Sequence, residues 1–260
     1  MTAVRFVRSA MSVLPRRLRS PALPATVEII VDGAPVSIAV RRSDRACRYL
    51  LKLPAASEHP VLVIPAHGSL DRGLAFARAQ SGWLRERIRR RPDHVRFEDG
   101  AEIPLRGEMH LVCATGLLRG GVRLVAGTQP LPRIEVAGDP EHLARRLTDW
   151  LKAEARRDLE PAVRRHAERL GVKPKRIAVR DQSSRWGSCS TNGTLSFSWR
   201  LILAPPMVLD YLAAHEVAHM VEMNHSRRFW RTLEAIAPHT GAAEAWLKRH
   251  GASLFRYGPR

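Results

Sequence analysis

Cysteine is scarce in this chain of 260 residues, which contains Cys47, Cys113 and Cys189 and no C-x-x-C pair. An odd, sparse set of this kind does not build a disulfide framework and indicates reduced thiols. Long apolar runs are also missing, since none approaches the roughly eighteen residues that span a membrane. No apolar segment typical of a secretion signal follows the first residues. The sequence therefore predicts a cytoplasmic protein without a membrane partner.

Acidic side chains are few relative to basic ones, with 25 Asp and Glu against 43 Lys and Arg and a formal net charge of +18. Such a charge suggests an acidic partner, and nucleic acid is one possibility. The alternative is a charge spread over solvated faces, because no basic stripe interleaved with aromatic residues is present. Net charge alone fixes no binding site, so a nucleic-acid partner is possible but not established.

The first half of the chain predicts a tail followed by a β-rich domain. Residues 1–26 are basic and interrupted by prolines, so we expect a flexible tail. Residues 27–137 contain short alternating apolar segments separated by turn residues such as Asp32-Gly33, a pattern typical of strands and hairpins. One helix is predicted in this domain, over residues 69–91, because its apolar side chains follow a helical stripe.

The second half, residues 138–260, predicts a domain richer in helix. Asp139 can cap a long helix, and Gly171 is a typical helix end. A small sheet is predicted to follow, with a hairpin turn at Asn192-Gly193.

The motif H-E-x-x-H is the strongest chemical signal in the sequence. Residues four apart lie on one helix face, so His215 and His219 can bind one metal ion while Glu216 acts on its bound water. A catalytic zinc needs a third protein ligand, and His225 is the best candidate if the chain turns after the helix. Asn224 is predicted to make that turn in a left-handed conformation. Three other side chains compete for the third position: Glu222, Glu234 and His239.

A longer pattern surrounds this motif. From Arg180 to Trp230 the chain contains, in order, S-R-W-G-S-C, G-x-L-x-F-x-W-R-L, A-P, Y-x-x-x-H-E-x-x-H and N-H-S-x-x-F-W. This set resembles the YgjP-like zinc metallopeptidases, which are relatives of the SprT-like proteases. One departure is Ser198, where the family pattern has Asn. The N-terminal half resembles the family more loosely.

The resemblance implies zinc as the cofactor, with His215, His219 and His225 as its ligands, and it implies Glu216 as the catalytic residue. It also implies an α+β fold in which a zincin-like metallopeptidase domain follows the β-rich domain. That domain would consist of an active-site helix, a scaffold helix and a small sheet. The resemblance further places four residues near the substrate cleft: Arg185, Trp186, Gly187 and Ser188. Their alternative is a structural turn around a buried Trp.

The predicted activity is zinc-dependent hydrolysis of peptide bonds in a polypeptide substrate, with Glu216 as the general base. A donor must also stabilise the oxyanion, and the sequence leaves three candidates open: Tyr211, His239 and Arg185. Two alternatives are kept, namely a zinc hydrolase acting on a non-peptide amide and a nucleic-acid-associated module with a structural zinc. A fourth protein ligand would favour the latter, since structural zinc sites are closed.

Overall fold

The computed structural model describes most of the chain. The described residues are 23–54, 57, 59–90, 93–127, 130–182 and 185–259. Residues 1–22 of the predicted flexible tail therefore lie outside the described residues. Eleven strands and six α-helices occur within the described part, so the fold mixes α and β structure. None of these helices is long and apolar enough to cross a membrane.

Two compact units divide the described residues. The first contains those within Met1–Lys52 and His59–Arg85, and the second contains those within Leu53–Glu58 and Glu86–Arg260. The core of the second unit includes side chains from both sides of the domain boundary predicted after residue 137. That boundary stays a prediction.

The first unit is built on a four-stranded sheet. The elements in this part of the chain are β1 Thr26–Val31, β2 Ala34–Ser43, β3 Leu50–Lys52, β4 Val61–Pro65, α1 Leu70–Ala79 and α2 Ser81–Arg89. The strand order is β1-β2-β4-β3, with β2 and β4 parallel and the other neighbours antiparallel. The predicted hairpin is confirmed, because Asp32 and Gly33 form its turn with φ angles of 51° and 78°. Alternate strand side chains, Ile29, Ile38 and Leu62 among them, form the core.

The prediction of one continuous helix over residues 69–91 is wrong. The first helix ends just before Gln80 and the second begins at Ser81, so this part of the chain has two helices where one was predicted. Gln80 has a ψ of 12°, and its N–H points back at carbonyl groups of the preceding turn. This tight turn ends the first helix. The second helix begins with Ser81 and Gly82, two residue types of low helix propensity, so the helix does not continue through this point. The predicted N-cap, Ser69, is confirmed.

The second unit contains two sheets and the helices α3 to α6. The first sheet consists of β5 Glu102–Leu105, β6 Glu108–Ala114, β7 Val122–Val125 and β8 Arg133–Val136. Its order, β5-β6-β8-β7 with β6 and β8 parallel, repeats the arrangement of the sheet in the first unit. The second sheet consists of β9 Arg176–Arg180, β10 Gly187–Cys189 and β11 Thr194–Ser198, in the order β10-β11-β9. The helices are α3 Leu143–Leu170, α4 Pro206–Ala218, α5 Arg227–Ile236 and α6 Thr240–Leu254.

The long helix predicted after Asp139 is confirmed. Asp139 accepts a hydrogen bond from the N–H of Glu141 at 2.9 Å and caps a short 3-10 helix that leads into α3. Gly171 ends α3 with a φ of 65°, a conformation that a residue with a Cβ would adopt only under strain. The buried side chains of α3 join those of α4 in one hydrophobic core. This packing gives α4 a fixed support.

The turn between β5 and β6 holds the segment that precedes α4. The N–H of Arg106 donates to the carbonyl of Ile202 at 2.7 Å. The guanidinium of the same residue pairs with Glu154 at 2.8 Å and with Asp158 at 2.7 Å, both on α3. Arg106 therefore connects the first sheet of this unit with α3 and with the segment that leads into α4.

Asp210 makes the polar contact between α4 and α3. Its carboxylate lies 2.7 Å from Arg165 and 3.0 Å from the buried Nε2 of His166, both on α3, and 3.3 Å from His239. Burial alone would raise the pKa of Asp210, but the hydrogen bond from His166 and the surrounding positive charges together lower it. Asp210 is therefore ionised in the folded protein at neutral pH and stabilises the fold.

We expect Asp210→Asn to lower the free energy of unfolding at pH 7 by about 1–3 kcal/mol, because it removes the charged partner of the buried His166. A lowered folded pKa gives stability that is present above the unfolded value of about 3.9 and is lost as pH falls through the folded value. The difference between wild type and variant should therefore shrink at pH 3. Urea unfolding at both pH values measures it, with the exposed Asp149→Asn as control. An equal difference at both pH values would contradict the assignment.

Candidate metal centre

His215 lies in the last turn of α4, and His219, the C-cap of this helix, lies on the same side. Pro205 is the N-cap of α4, and Pro206 is its first residue, where a missing N–H costs nothing. The two imidazoles are four positions apart in the sequence, which is close to one helical turn, and their ring centroids lie 4.9 Å apart. Most other side chains of α4 are buried, so the helix is held firmly beneath the two rings.

The chain leaves α4 through tight turns. After Ala218 the N–H of Met220 donates to Val217 and the N–H of Val221 donates to Ala218, both at 3.0 Å. Turns of this 3-10 type need no positive φ, and Asn224 is not among the described residues that have one. The predicted left-handed stop at Asn224 is therefore wrong, although the chain does reverse here.

The reversal brings His225 to the other two imidazoles. Its Nε2 lies 3.2 Å from the Nε2 of His215, and its ring centroid lies 4.7 Å from that of His219. One potential ligand atom from each of the three residues lies within 4.8 Å of the others. Ser226 then caps α5 as predicted, since its side chain accepts a hydrogen bond from the N–H of Phe229.

The three competing side chains have other positions. Glu222 pairs with Arg228 at 2.9 Å, Glu234 is exposed on α5, and His239 lies against Asp210. Among the described residues, His215, His219 and His225 form the one group of three or more His, Cys, Asp and Glu that could hold a metal ion.

Both helix-borne imidazoles have a hydrogen-bond partner at Nδ1. For His219 the partner is the carbonyl of Glu222 at 3.1 Å, and for His215 it is the hydroxyl of Tyr211 at 3.3 Å. Burial, aided by the neighbouring His219 and His225, lowers the pKa of His215 to about 4. The ring of His215 is therefore neutral at pH 7 and has a lone pair available.

An aromatic wall from α5 encloses the three imidazoles. The fully buried ring of Phe229 lies 5.0, 4.5 and 4.8 Å from the rings of His215, His219 and His225. Trp230 lies 5.9 Å from the ring of His225. The sequence patterns did not predict that Phe229 and Trp230 lie at the site, although both residues belong to the N-H-S-x-x-F-W pattern. They restrict the orientations that the three imidazoles can adopt.

Glu216 is buried beside this triad. Its side chain is 4 % exposed, and its Oε2 has no hydrogen-bond partner among the described residues. Burial raises the pKa of Glu216 to about 8, and the charge of Arg185 acts in the opposite direction. A Cβ added to Gly187 would lie 2.8 Å from both Cδ and Cγ of this side chain. The absence of a side chain at position 187 therefore creates the space that the carboxylate occupies.

The four residues predicted near the cleft occupy different environments. Gly187 and Ser188 belong to β10, which is the edge strand of its sheet. The ring of Trp186 lies 4.7 Å from that of Phe255, and its carbonyl accepts the N–H of Ser198. Arg185 is exposed, and its positive charge lowers the pKa of Glu216 against the larger, opposite effect of burial.

Cys189, at the end of β10, is not an activated nucleophile. Burial, together with the negative charge of Glu216, raises the pKa of its thiol. The thiol therefore stays protonated at neutral pH, whereas a cysteine nucleophile reacts as a thiolate.

The sequence matches the family described as YgjP-like, metallopeptidase domain, over residues 50–250. The chain belongs to the YgjP-like family. This membership supports a metal-dependent peptidase, and hence a hydrolase that acts on polypeptides. A solved structure, the crystal structure of the metallopeptidase zymogen of Pyrococcus abyssi abylysin, is similar at a TM-score of 0.33 and 22% identity, over 39% of this chain and 99% of that one. No curated protein matches the sequence.

Membership of the YgjP-like metallopeptidases implies a metal ion, and the donor set fits one. Zinc–nitrogen bonds of about 2.0–2.1 Å at tetrahedral angles place two ligand nitrogens about 3.3 Å apart. The Nε2 atoms of His215 and His225 are separated by 3.2 Å. Glu216, which follows His215 in the sequence, adds a buried oxygen that has no hydrogen-bond partner among the described residues.

Proposed function

We propose that this YgjP-like protein is a zinc-dependent peptidase in which His215, His219 and His225 hold the metal and Glu216 is the general base. The observation that carries the proposal is the convergence of three imidazoles within 4.8 Å, next to a buried carboxyl group with a free oxygen. Nitrogen donors suit zinc, and three protein ligands leave a position for solvent or substrate, as in catalytic zinc sites.

A bound zinc ion would polarise the scissile carbonyl and make water acidic enough to attack it near neutral pH. Glu216 takes the proton from the attacking water while a bond forms between the water oxygen and the carbonyl carbon. Glu216 then gives this proton to the amine as the carbon–nitrogen bond breaks. Burial makes the carboxylate of Glu216 a stronger base than an exposed one, and the positive charge of a bound zinc ion would favour its ionised, proton-accepting form.

Substrate binding is assigned to the edge strand β10. Its outer edge is free of a neighbouring strand in the described sheet, and Gly187 of this strand lies against Glu216. An extended peptide that pairs with β10 by strand addition would therefore pass over the carboxylate. We propose that Gly187 and Ser188 bind the peptide backbone, whereas Trp186 supports the strand from behind.

The oxyanion role is assigned to Arg185 among the three candidates. The hydroxyl of Tyr211 donates to Glu244 at 2.9 Å, and His239 lies 3.3 Å from Asp210. Arg185 is exposed, and its positive charge already acts on Glu216. A positive charge at this position favours the negative charge that develops on the carbonyl oxygen.

The finer zincin-like layout is also a proposal. We assign α4 as the active-site helix, α3 as the scaffold helix and β9 to β11 as the small sheet. No contact among the described residues specifically favours either alternative, the zinc hydrolase acting on a non-peptide amide or the nucleic-acid-associated module with a structural zinc. No fourth donor joins the three imidazoles among the described residues, as a closed structural zinc site would need.

Metal removal tests the proposal directly. We expect the purified protein to bind one zinc ion per chain and to cleave casein. Dialysis against a chelator should reduce cleavage to background, and added zinc should restore it. His219→Ala should lose both zinc and activity, because it removes one of three ligands.

The exposed His142→Ala serves as the matched control for this experiment and should keep both properties. Circular dichroism establishes that each variant is folded. Cleavage that survives complete metal removal, or full zinc occupancy in the His219 variant, would overturn the proposal.

A further inference from the structure

We propose that Tyr211 and Glu244 act as positioning residues that fix the ring of His215 for the metal. This inference rests on the metal site proposed above and goes beyond it. The two residues form a chain of hydrogen bonds behind His215: its Nδ1 lies 3.3 Å from the hydroxyl of Tyr211, which donates to a carboxylate oxygen of Glu244 at 2.9 Å. The chain therefore runs from α6 through α4 to the imidazole.

The direction of these hydrogen bonds follows from the chemistry of the groups. The hydroxyl of Tyr211 donates to Oε1 of Glu244, so the phenolic proton is directed at that oxygen. The phenolic oxygen then offers a lone pair to His215, and Nδ1 must supply the hydrogen. A neutral imidazole has one N–H and one bare nitrogen, so Nε2 of His215 carries the lone pair.

The bare nitrogen is the one that faces the proposed metal site. Nε2 of His215 lies 3.2 Å from Nε2 of His225, which is the closest approach within the triad that the structure records. The opposite tautomer would place a hydrogen in this space and leave the phenolic oxygen without a donor. The hydrogen bonds from α6 therefore select the tautomer that can bind a cation.

The ring of His219 is oriented by a similar hydrogen bond at Nδ1, but its partner is a backbone group. Its Nδ1 lies 3.1 Å from the backbone carbonyl of Glu222, in the loop after α4. The two helix-borne imidazoles are thus held in the same tautomer, one by a local backbone group and one by a distant side chain. Partners of this kind orient metal ligands and raise their basicity, and their loss commonly weakens metal binding by about 10–100-fold.

A purely structural link between α4 and α6 is the competing explanation. The ring of Tyr211 is 4 % exposed and packs in the core, and its bond to Glu244 joins residues 33 positions apart. A structural link would affect the stability of the metal-free protein but neither zinc affinity nor the tautomer of His215. These two readouts therefore separate the explanations.

The first experiment measures the zinc dissociation constant of the full chain by competition with a chromophoric chelator. We expect Tyr211→Phe, which keeps the buried ring, and Glu244→Ala each to weaken zinc binding by about 10–100-fold. The double variant should be no weaker than Tyr211→Phe, because both changes break one chain of hydrogen bonds. Glu244→Gln retains an acceptor oxygen and should lose less affinity than Glu244→Ala. The exposed Glu234→Ala on α5 is the matched control.

The second experiment observes the tautomer in the metal-free protein. Long-range proton–nitrogen NMR spectra of histidine-labelled protein at pH 7 should show His215 with hydrogen on Nδ1. Tyr211→Phe should shift the population toward hydrogen on Nε2.

Equal zinc affinity in wild type and Tyr211→Phe would overturn the positioning role and leave the metal site standing. An unchanged tautomer of His215 in Tyr211→Phe would also overturn the positioning role. Failure of the wild-type protein to bind zinc would overturn both this inference and the proposed function.

Discussion

Glu216→Gln is expected to lower kcat for peptide hydrolysis by about 10²–10⁴-fold, the usual contribution of general acid–base catalysis. Glutamine has nearly the same size as glutamate, so it should fit the same space beside Gly187. It cannot accept the proton of water or return it to the leaving amine. The loss should appear in kcat rather than in zinc affinity, because Glu216 is not one of the proposed ligands.

Single-turnover cleavage of a peptide substrate, with zinc content determined on the same samples, measures this effect. Glu234→Gln, an exposed change on α5, is the control and should have wild-type activity. Glu234 was also a candidate for the third zinc ligand. Normal zinc content in Glu234→Gln would therefore support His215, His219 and His225 as the ligands. A fully active Glu216→Gln variant that retains zinc would remove this residue from the mechanism.

Gly187→Ala is the second change with a large expected effect. The added methyl group would lie 2.8 Å from Cδ and Cγ of Glu216, closer than such atoms approach in folded proteins. Either the carboxylate or β10 must move, and both take part in the proposed reaction. A displacement of about 1 Å in a catalytic group can cost about 10²-fold in rate, so we expect a loss of that order in kcat/KM.

A double-mutant cycle identifies the cause of this loss. If alanine at position 187 acts by displacing Glu216, it should have little further effect in the Glu216→Gln background. Gly241→Ala on α6 is the matched control, because an added Cβ there meets no atom within 4 Å. Gly187→Ala with wild-type kcat/KM would contradict the close packing of strand and carboxylate.

Local patterns in the sequence predicted the elements that their own neighbours determine. The strands and hairpins of the first half, the cap at Asp139 and the end of α3 at Gly171 all depend on residues a few positions apart. The same holds for the placement of His215 and His219 on one face of α4. Periodicity and capping chemistry encode such features directly, so they were predictable without a structure.

Two predictions about local structure were wrong for a shared reason. A continuous apolar stripe predicted one helix where Gln80 separates two, and the preference of asparagine for a left-handed conformation predicted the wrong turn at Asn224. At Gln80, and at residues 217–221 before Asn224, a tight turn of 3-10 type ends the regular helix without a positive φ angle. Such a turn leaves no distinctive residue in the sequence.

The sequence by itself determined the kind of site, since H-E-x-x-H followed by N-H-S defines which side chains are available to a metal. The tertiary structure alone decided how this site is enclosed and supported. Phe229 lies against all three imidazoles, Gly187 makes room for Glu216, and Glu244 reaches His215 through a tyrosine from another helix. These contacts join residues that lie far apart in the chain. Their positions depend on how whole helices and strands pack, and no local periodicity carries that information.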